Sequence, residues 1–190
     1  IEALDDPRFV GIGEIGLDYF LPDLDANHQS FFFEKQLDLA EEFNLPVILH
    51  VRRSQDAILK ALRPRKIIGG IAHAFNGSFQ QAEQFIKLNF VMGFGGAMTF
   101  PRALQIRRLA KELPFESLVL ETDAPDIPPA WLAKQVSHRN EPAELPQISS
   151  VLAEIRSSSI SQTQSICANN ALRVIPRWAT LLTQLPLSKD

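Results

Sequence analysis

Apolar residues along the chain gather in five short runs, at 9–13, 46–49, 67–72, 90–94 and 118–120. Each run is continuous and rich in Val, Ile and Phe, as strands covered on both faces are. Between the runs the apolar spacing changes to three and four. Phe32, Phe33, Leu37, Ala40 and Phe43 mark one face of a helix that Asn44 and Pro46 stop. Ser54 opens a second helix, with Ile58 and Leu62 on one stripe and Pro64 beyond its end. Ser78 and Gln81 have the spacing of a capping box, in which hydroxyl and amide each satisfy a free helix-end donor, ahead of Ala82, Phe85 and Ile86. Pro101 suits the first turn of a helix carrying Leu104 and Leu109. Pro142 does the same before Leu145, Ile148, Leu152 and Ile155, and a last helix runs from Ser161 through Ile166 to Leu172. The triplet Phe31, Phe32 and Phe33 reads as core and helix packing rather than a surface for stacking bases.

Strand–helix alternation predicts parallel strands joined by right-handed crossovers, hence an α/β doubly wound sheet or a (βα)8 barrel. An open sheet concentrates its chemistry at one switch point, whereas a barrel draws on the carboxyl ends of many strands. Several strands here end in polar residues, which favours the barrel. Five strand–helix units are present where a closed barrel needs eight; at ~30 residues per unit, roughly 90 more are expected. The chain starts on Ile1 rather than Met, and the expectation is one barrel domain over residues 1–190, incomplete at its amino terminus. An unclosed barrel leaves two unpaired strand edges and an uncovered apolar interior.

Composition narrows the class without changing this picture. A chain 45% hydrophobic and 22% charged is neither fibrous nor disordered. With 19 Lys and Arg against 22 Asp and Glu, net charge −3, no overall basic field holds nucleic acid, so any such contact must be local. The single Cys167 excludes an internal disulfide and fits a reducing, cytoplasmic location. No apolar run approaches the ~18 residues of a membrane span, and nothing calls for an obligate protein partner.

Candidate chemistry sits at four strand ends: Gly13-Glu14-Ile15-Gly16-Leu17-Asp18, His50-Val51-Arg52, His73-Ala74-Phe75 and Glu121-Thr122-Asp123-Ala124-Pro125. Alternation puts Ile48 with His50, Ile71 with His73, and Glu121 with Asp123 on common faces. One His at a strand end is ordinarily a hydrogen-bonded structural residue. Two of only four histidines closing consecutive strands is a coincidence that a structural account leaves to chance. Nitrogen and oxygen donors without thiolate suit Zn, Mn or Mg. Arg52, two residues past His50, shares its face and offers a fork of donors for a phosphate, or for a neighbouring carboxylate. His28 and His138 have no ligand-type setting.

In this order, GEIGLD, HVR, HAF and ETDAP, followed by RNEP, closely resemble the TatD family of metal-dependent deoxyribonucleases, over nearly the whole chain. The resemblance implies a barrel of the metal-hydrolase type and two divalent metal ions, Glu14 bridging both, His50 and His73 on one and Asp123 on the other. It also implies hydrolysis of DNA phosphodiesters, trimming a single strand or an end. Asp123 is then the group to accept the attacking water's proton, with Glu14 its catalytic partner, while Glu121 orients a ligand imidazole from behind. Arg139, in the RNEP segment, joins Arg52 as a candidate for substrate phosphate. The family's first-strand His-x-His pair occurs nowhere in this sequence. Both that absence and the missing barrel units are expected from one cause, an absent amino-terminal part, and the 190 residues alone are expected to be inactive. The alternatives are a related barrel hydrolase acting on a small-molecule ester or amide, and an inactive fragment.

Overall fold

The computed structural model describes residues 6, 8–133 and 139–184. Five parallel strands, β1 (Ile12–Asp18), β2 (Val47–Arg52), β3 (Gly70–Ala72), β4 (Phe90–Phe94) and β5 (Leu118–Leu120), lie side by side in chain order. Helices α1 (Ala26–Glu42), α2 (Gln55–Leu62), α3 (Phe79–Lys87) and α4 (Leu104–Glu112) connect them. The helices α5 (Leu145–Arg156), α6 (Ile160–Val174) and α7 (Pro176–Gln184) follow β5. This is the open portion of a (βα) barrel, with β1 and β5 as its edges among the described residues. None of the described helices is long and apolar enough to cross a membrane.

Helix ends follow the sequence signals. Asp25 accepts the N–H groups of Asn27 and His28 at the start of α1, and Ser78 with Gln81 forms the capping box of α3. Ser54 precedes α2, but its hydroxyl donates to the Leu17 carbonyl at 2.5 Å and so ties the end of β2 to β1. Pro101 lies in a turn before α4 rather than inside it.

The first strand departs from expectation. The apolar run 9–13 marks only its approach, and the strand itself is Ile12–Asp18. Its alternation, with Ile15 and Leu17 buried, Gly16 between them and Glu14 and Asp18 on either side, is that of a strand with one apolar face. Likewise β2 continues past its apolar run through His50 to Arg52. Of the phenylalanine triplet only Phe33 is buried; Phe31 and Phe32 are 57% and 53% exposed, because a helix turns successive residues by about 100°.

The helix-facing side of the sheet forms the main core, where Leu49, Met92 and Phe94 meet Leu37, Ile58 and Phe85. Each such fully buried side chain contributes about 1.5–3 kcal/mol. On the opposite side, the expected bare interior is in part covered. Val91 and Val119 are buried beneath Val174 and Ile175 at the end of α6, while Ile48 remains 37% exposed. Asn170 fastens α6 there, its Nδ2 donating to the carbonyls of Phe115 and Leu118 at 2.9 and 2.8 Å. Arg173 adds bonds to Asn89 Oδ1 and the Glu116 carbonyl. The α6 end thereby covers the interior at β4 and β5.

Asn170→Ala leaves two carbonyl acceptors without their donor in a buried setting, and is expected to cost about 2 kcal/mol of unfolding free energy in denaturant titration. A loss below a few tenths would show that α6 is held by apolar packing alone.

Candidate active site

At the carboxyl ends of β1, β2, β3 and β5 the chain presents polar side chains to one side. In β1, Ile12 stands opposite Val47 and Ile15 opposite Leu49, so β1 carries one residue more than β2 over this stretch. This bulge, at the cis Gly13–Glu14 peptide, re-aims the strand: Ile15 and Leu17 enter the core and Glu14 turns toward β2 and β3. Gly16 lets the two strands approach, since a Cβ there would lie 2.0 Å from the His50 carbonyl oxygen.

Two imidazoles occupy the middle of the site, each between carboxylates. His50 Nδ1 lies 2.9 Å from Glu14 Oε1 and its Nε2 lies 3.3 Å from Asp18 Oδ2. His73 Nε2 lies 3.0 Å from Asp123 Oδ1 and 4.0 Å from Glu14 Oε1, while its Nδ1 lies 3.0 Å from Glu121 Oε2. The structure therefore brings Glu14, His50, His73, Glu121 and Asp123 together. Among the described residues no three His, Cys, Asp or Glu side chains form a group ready to hold a metal ion as they stand; carboxylate oxygens rest directly against ring nitrogens instead.

The electrostatics follow from this stacking of acids about imidazoles. Burial opposes a charge on His73, but the hydrogen bond to Glu121 and the charges of Glu121, Glu14 and Asp123 outweigh it and raise its pKa to about 9. His50 is raised chiefly by its hydrogen bond to Glu14, against burial and with help from Asp18. Glu14 is correspondingly lowered by the His50 hydrogen bond. For Asp18, burial pushes upward, and the Phe20 N–H, His50 and Arg52 together more than reverse it.

Two supports escaped the sequence reading. Asp18 closes the GEIGLD motif, yet only the register Gly16 to His50 and Asp18 to Arg52 shows that it reaches the His50 ring. Its backbone is pinned by Gln29, whose Oε1 accepts the Asp18 N–H at 2.7 Å and whose Nε2 donates to the Asp18 carbonyl at 3.1 Å. Gly93 is the second. A Cβ there would meet Glu121 Oε2 at 1.9 Å, so the missing side chain of β4 is the space the Glu121 carboxylate fills. Glu121 Oε1 also accepts the Ala74 N–H at 2.7 Å, fixing both ends of the His73 turn.

A cavity of ≈ 830 Å³ opens over the site, lined by His50, His73 and Asp123 together with Phe20, Arg52, Arg53 and Asp126. That is within the range of small-ligand sites, ~300–1,000 Å³. Arg52 points into it, 3.5 Å from Asp18 Oδ2. Arg139 is exposed, next to the buried Asn140, whose Nδ2 donates to the carbonyl of Asp126 at 2.8 Å. His28 lies with Glu14 and His50 on a second cavity of ≈ 420 Å³ at the β1 edge. His138 falls outside the described residues.

A family model described as TatD related DNase matches residues 1–176. The chain is 40% identical over 167 residues to a protein named uncharacterized metal-dependent hydrolase YjjV from Escherichia coli K12, covering 86% of this chain and 62% of the relative. It is 39% identical over 163 residues to one named 3'-5' ssDNA/RNA exonuclease TatD from Klebsiella pneumoniae, covering 84% of this chain and 61% of that relative. The crystal structure of the Escherichia coli YjjV protein, a TatD homologue, superimposes with a TM-score of 0.81 at 38% identity, over 88% of this chain and 64% of that one. The chain thus spans a little under two thirds of the length of these relatives.

Gly93→Ala is expected to expel the Glu121 carboxylate and free the His73 ring, visible as a shift of the His73 imidazole NMR signals and a lowered His73 pKa. Unchanged signals would show that Glu121 has room elsewhere. The raised pKa of His73 also sets a pH dependence of folding for protein kept in chelator. A folded pKa of about 9 against the ordinary 6.5 gives a stabilisation present in full below pH 6.5 and lost as pH rises through 9. The denaturant midpoint should fall between pH 7 and 9.5, and His73→Gln should flatten that fall; an equal fall in the variant would assign it to other groups.

Proposed function

The chain belongs to the family of TatD-related DNases, and from that membership and the geometry of its site we propose a divalent-metal-dependent hydrolase that cleaves phosphodiester bonds of single-stranded DNA or of DNA ends. One observation carries the reading: His50 Nδ1 and His73 Nε2, on different strands, both turn toward Glu14 Oε1, while their remaining nitrogens face Asp18 and Glu121. A carboxylate behind each ring holds a proton on the outer nitrogen and leaves the inner lone pair for a cation.

The donor set fits a divalent ion. Each inner ring nitrogen faces a carboxylate, Glu14 at His50 and Asp123 at His73, and a cation held there would take nitrogen and oxygen donors together. Glu14, His50 and His73 would hold one ion and Glu14 with Asp123 a second, with Mg, Mn and Zn all compatible with nitrogen and carboxylate donors. Such ions, when bound, supply hydroxide at neutral pH and polarise a phosphoryl oxygen.

The chain's own residues do the rest. Asp123, 3.0 Å from His73 at the cavity wall, accepts the proton of the attacking water. Glu121 and Asp18 keep the rings in ligating orientation. Arg52 binds a non-bridging phosphate oxygen, and the exposed Arg139 is a further phosphate contact. With a single cysteine, and so no partner for an internal disulfide, we place the protein in a reducing compartment, the cytoplasm.

In a polypeptide that supplies the His-x-His pair, release of nucleotides from single-stranded DNA should stop on chelation and return with a divalent ion. Glu14→Ala should lower kcat at least 10²-fold, whereas Arg52→Ala should act mainly on KM, about tenfold. Robust cleavage by Glu14→Ala would overturn the metal reading. Hydrolysis of small esters or amides with DNA left intact would instead favour a related small-molecule hydrolase.

A further inference from the structure

Phe20 stands two residues past Asp18, in the segment following β1, and is 42% exposed, while Phe33, Phe75 and Phe85 are buried. It does not drift freely. Its N–H donates to Asp18 Oδ1 at 2.9 Å, and two guanidinium groups rest against its ring, Arg52 at 4.0 Å and Arg53 at 4.6 Å from the centroid. Arg53 reaches this place at φ 56°, a left-handed backbone that side chains other than Asn, Asp and Gly rarely adopt. Both arginines, the ring, His50, His73 and Asp123 line the same cavity.

A flat apolar ring kept 42% exposed in a cavity, with guanidinium groups packed over it and the imidazoles and Asp123 on the same cavity wall, suits a substrate that is part aromatic and part anion. Aliphatic esters and amides gain nothing from the ring. A nucleotide uses every part: any base offers a π-face to an aromatic side chain, and its phosphate is drawn to the guanidinium groups. Resting on the nucleic-acid reading above, we propose that Phe20 is a positioning residue, the platform on which the base adjoining the scissile phosphate stacks, held in place by Arg52 and Arg53. A base in a duplex has both faces covered by its neighbours, so this platform selects unpaired strands and frayed ends.

The test is fluorescence anisotropy with a short single-stranded oligonucleotide, phosphorothioate-linked to resist hydrolysis, and a second of equal length lacking both terminal bases, each with Mn²⁺. Phe20→Ala should weaken binding of the intact strand about tenfold and leave the abasic strand unchanged. Phe20→Trp should restore the intact strand. Equal weakening of both strands, or none, would overturn the platform while leaving the nucleic-acid reading standing. Wild-type protein that binds neither strand would overturn both. Arg53→Gly separates folding from function: relieved of its left-handed strain, it should melt no lower than wild type yet bind the intact strand several-fold more weakly. A lower melting temperature together with unchanged binding would make the ring and its arginines a structural cluster only.

Discussion

Four carboxylates, those of Glu14, Asp18, Glu121 and Asp123, are held around two imidazoles at one end of a parallel sheet. So much like charge in a partly buried place requires compensation, and the rest of the site is arranged to provide it. An acid stands at each ring nitrogen, and this raises the pKa of both His50 and His73 above the ordinary imidazole value. A divalent cation would satisfy the same requirement with more charge at the same place, which is the physical basis of the metal site proposed above.

Uncharged backbone features beside these groups make the crowding possible. The extra residue at Gly13–Glu14 turns Glu14 inward, Gly16 admits the His50 carbonyl, and Gly93 leaves the space that the Glu121 carboxylate enters. These are constraints of shape. A side chain at either glycine would meet an oxygen at about 2 Å, closer than any non-bonded contact tolerates. Beneath them, Val174 and Ile175 of the α6 end close the lower interior, and Asn170 locks that plug to β5. The polar mouth thus stands above an interior that is covered at β4 and β5, while Ile48 of β2 stays 37% exposed.

The two cavities flanking His50 divide the mouth by chemistry. Toward β3 and β5 the larger one joins His73 and Asp123 to Arg52, Arg53 and Phe20; toward the β1 edge the smaller one joins Glu14 to His28 and Phe32. Acid on one wall and guanidinium on the other gives a net-acidic protein a local place for an anion, without the basic field that composition ruled out.

Much of this was legible in the sequence. Short Val- and Ile-rich runs separated by stripes of three and four determine parallel strands with helices on one side, because burial on both faces and period 3.6 leave few other arrangements. Alternation alone put His50, His73, Glu121 and Asp123 on common faces at the strand ends, since a strand points every second residue the same way. Other features needed the third dimension. The strand carrying Glu14 lies beyond its apolar run, because its inward positions are charged and only its outward ones, Ile15 and Leu17, are apolar. Asp18 meets His50, and Gly93 makes room for Glu121, through strand register, which pairs residues separated by 32 and 28 positions and which no local period encodes. Phe20, beside Tyr19 in the segment after β1, gave no signal in the sequence. Only the packing of Arg52 and Arg53 against its ring, at the lip of the cavity, gave it a place in the chemistry.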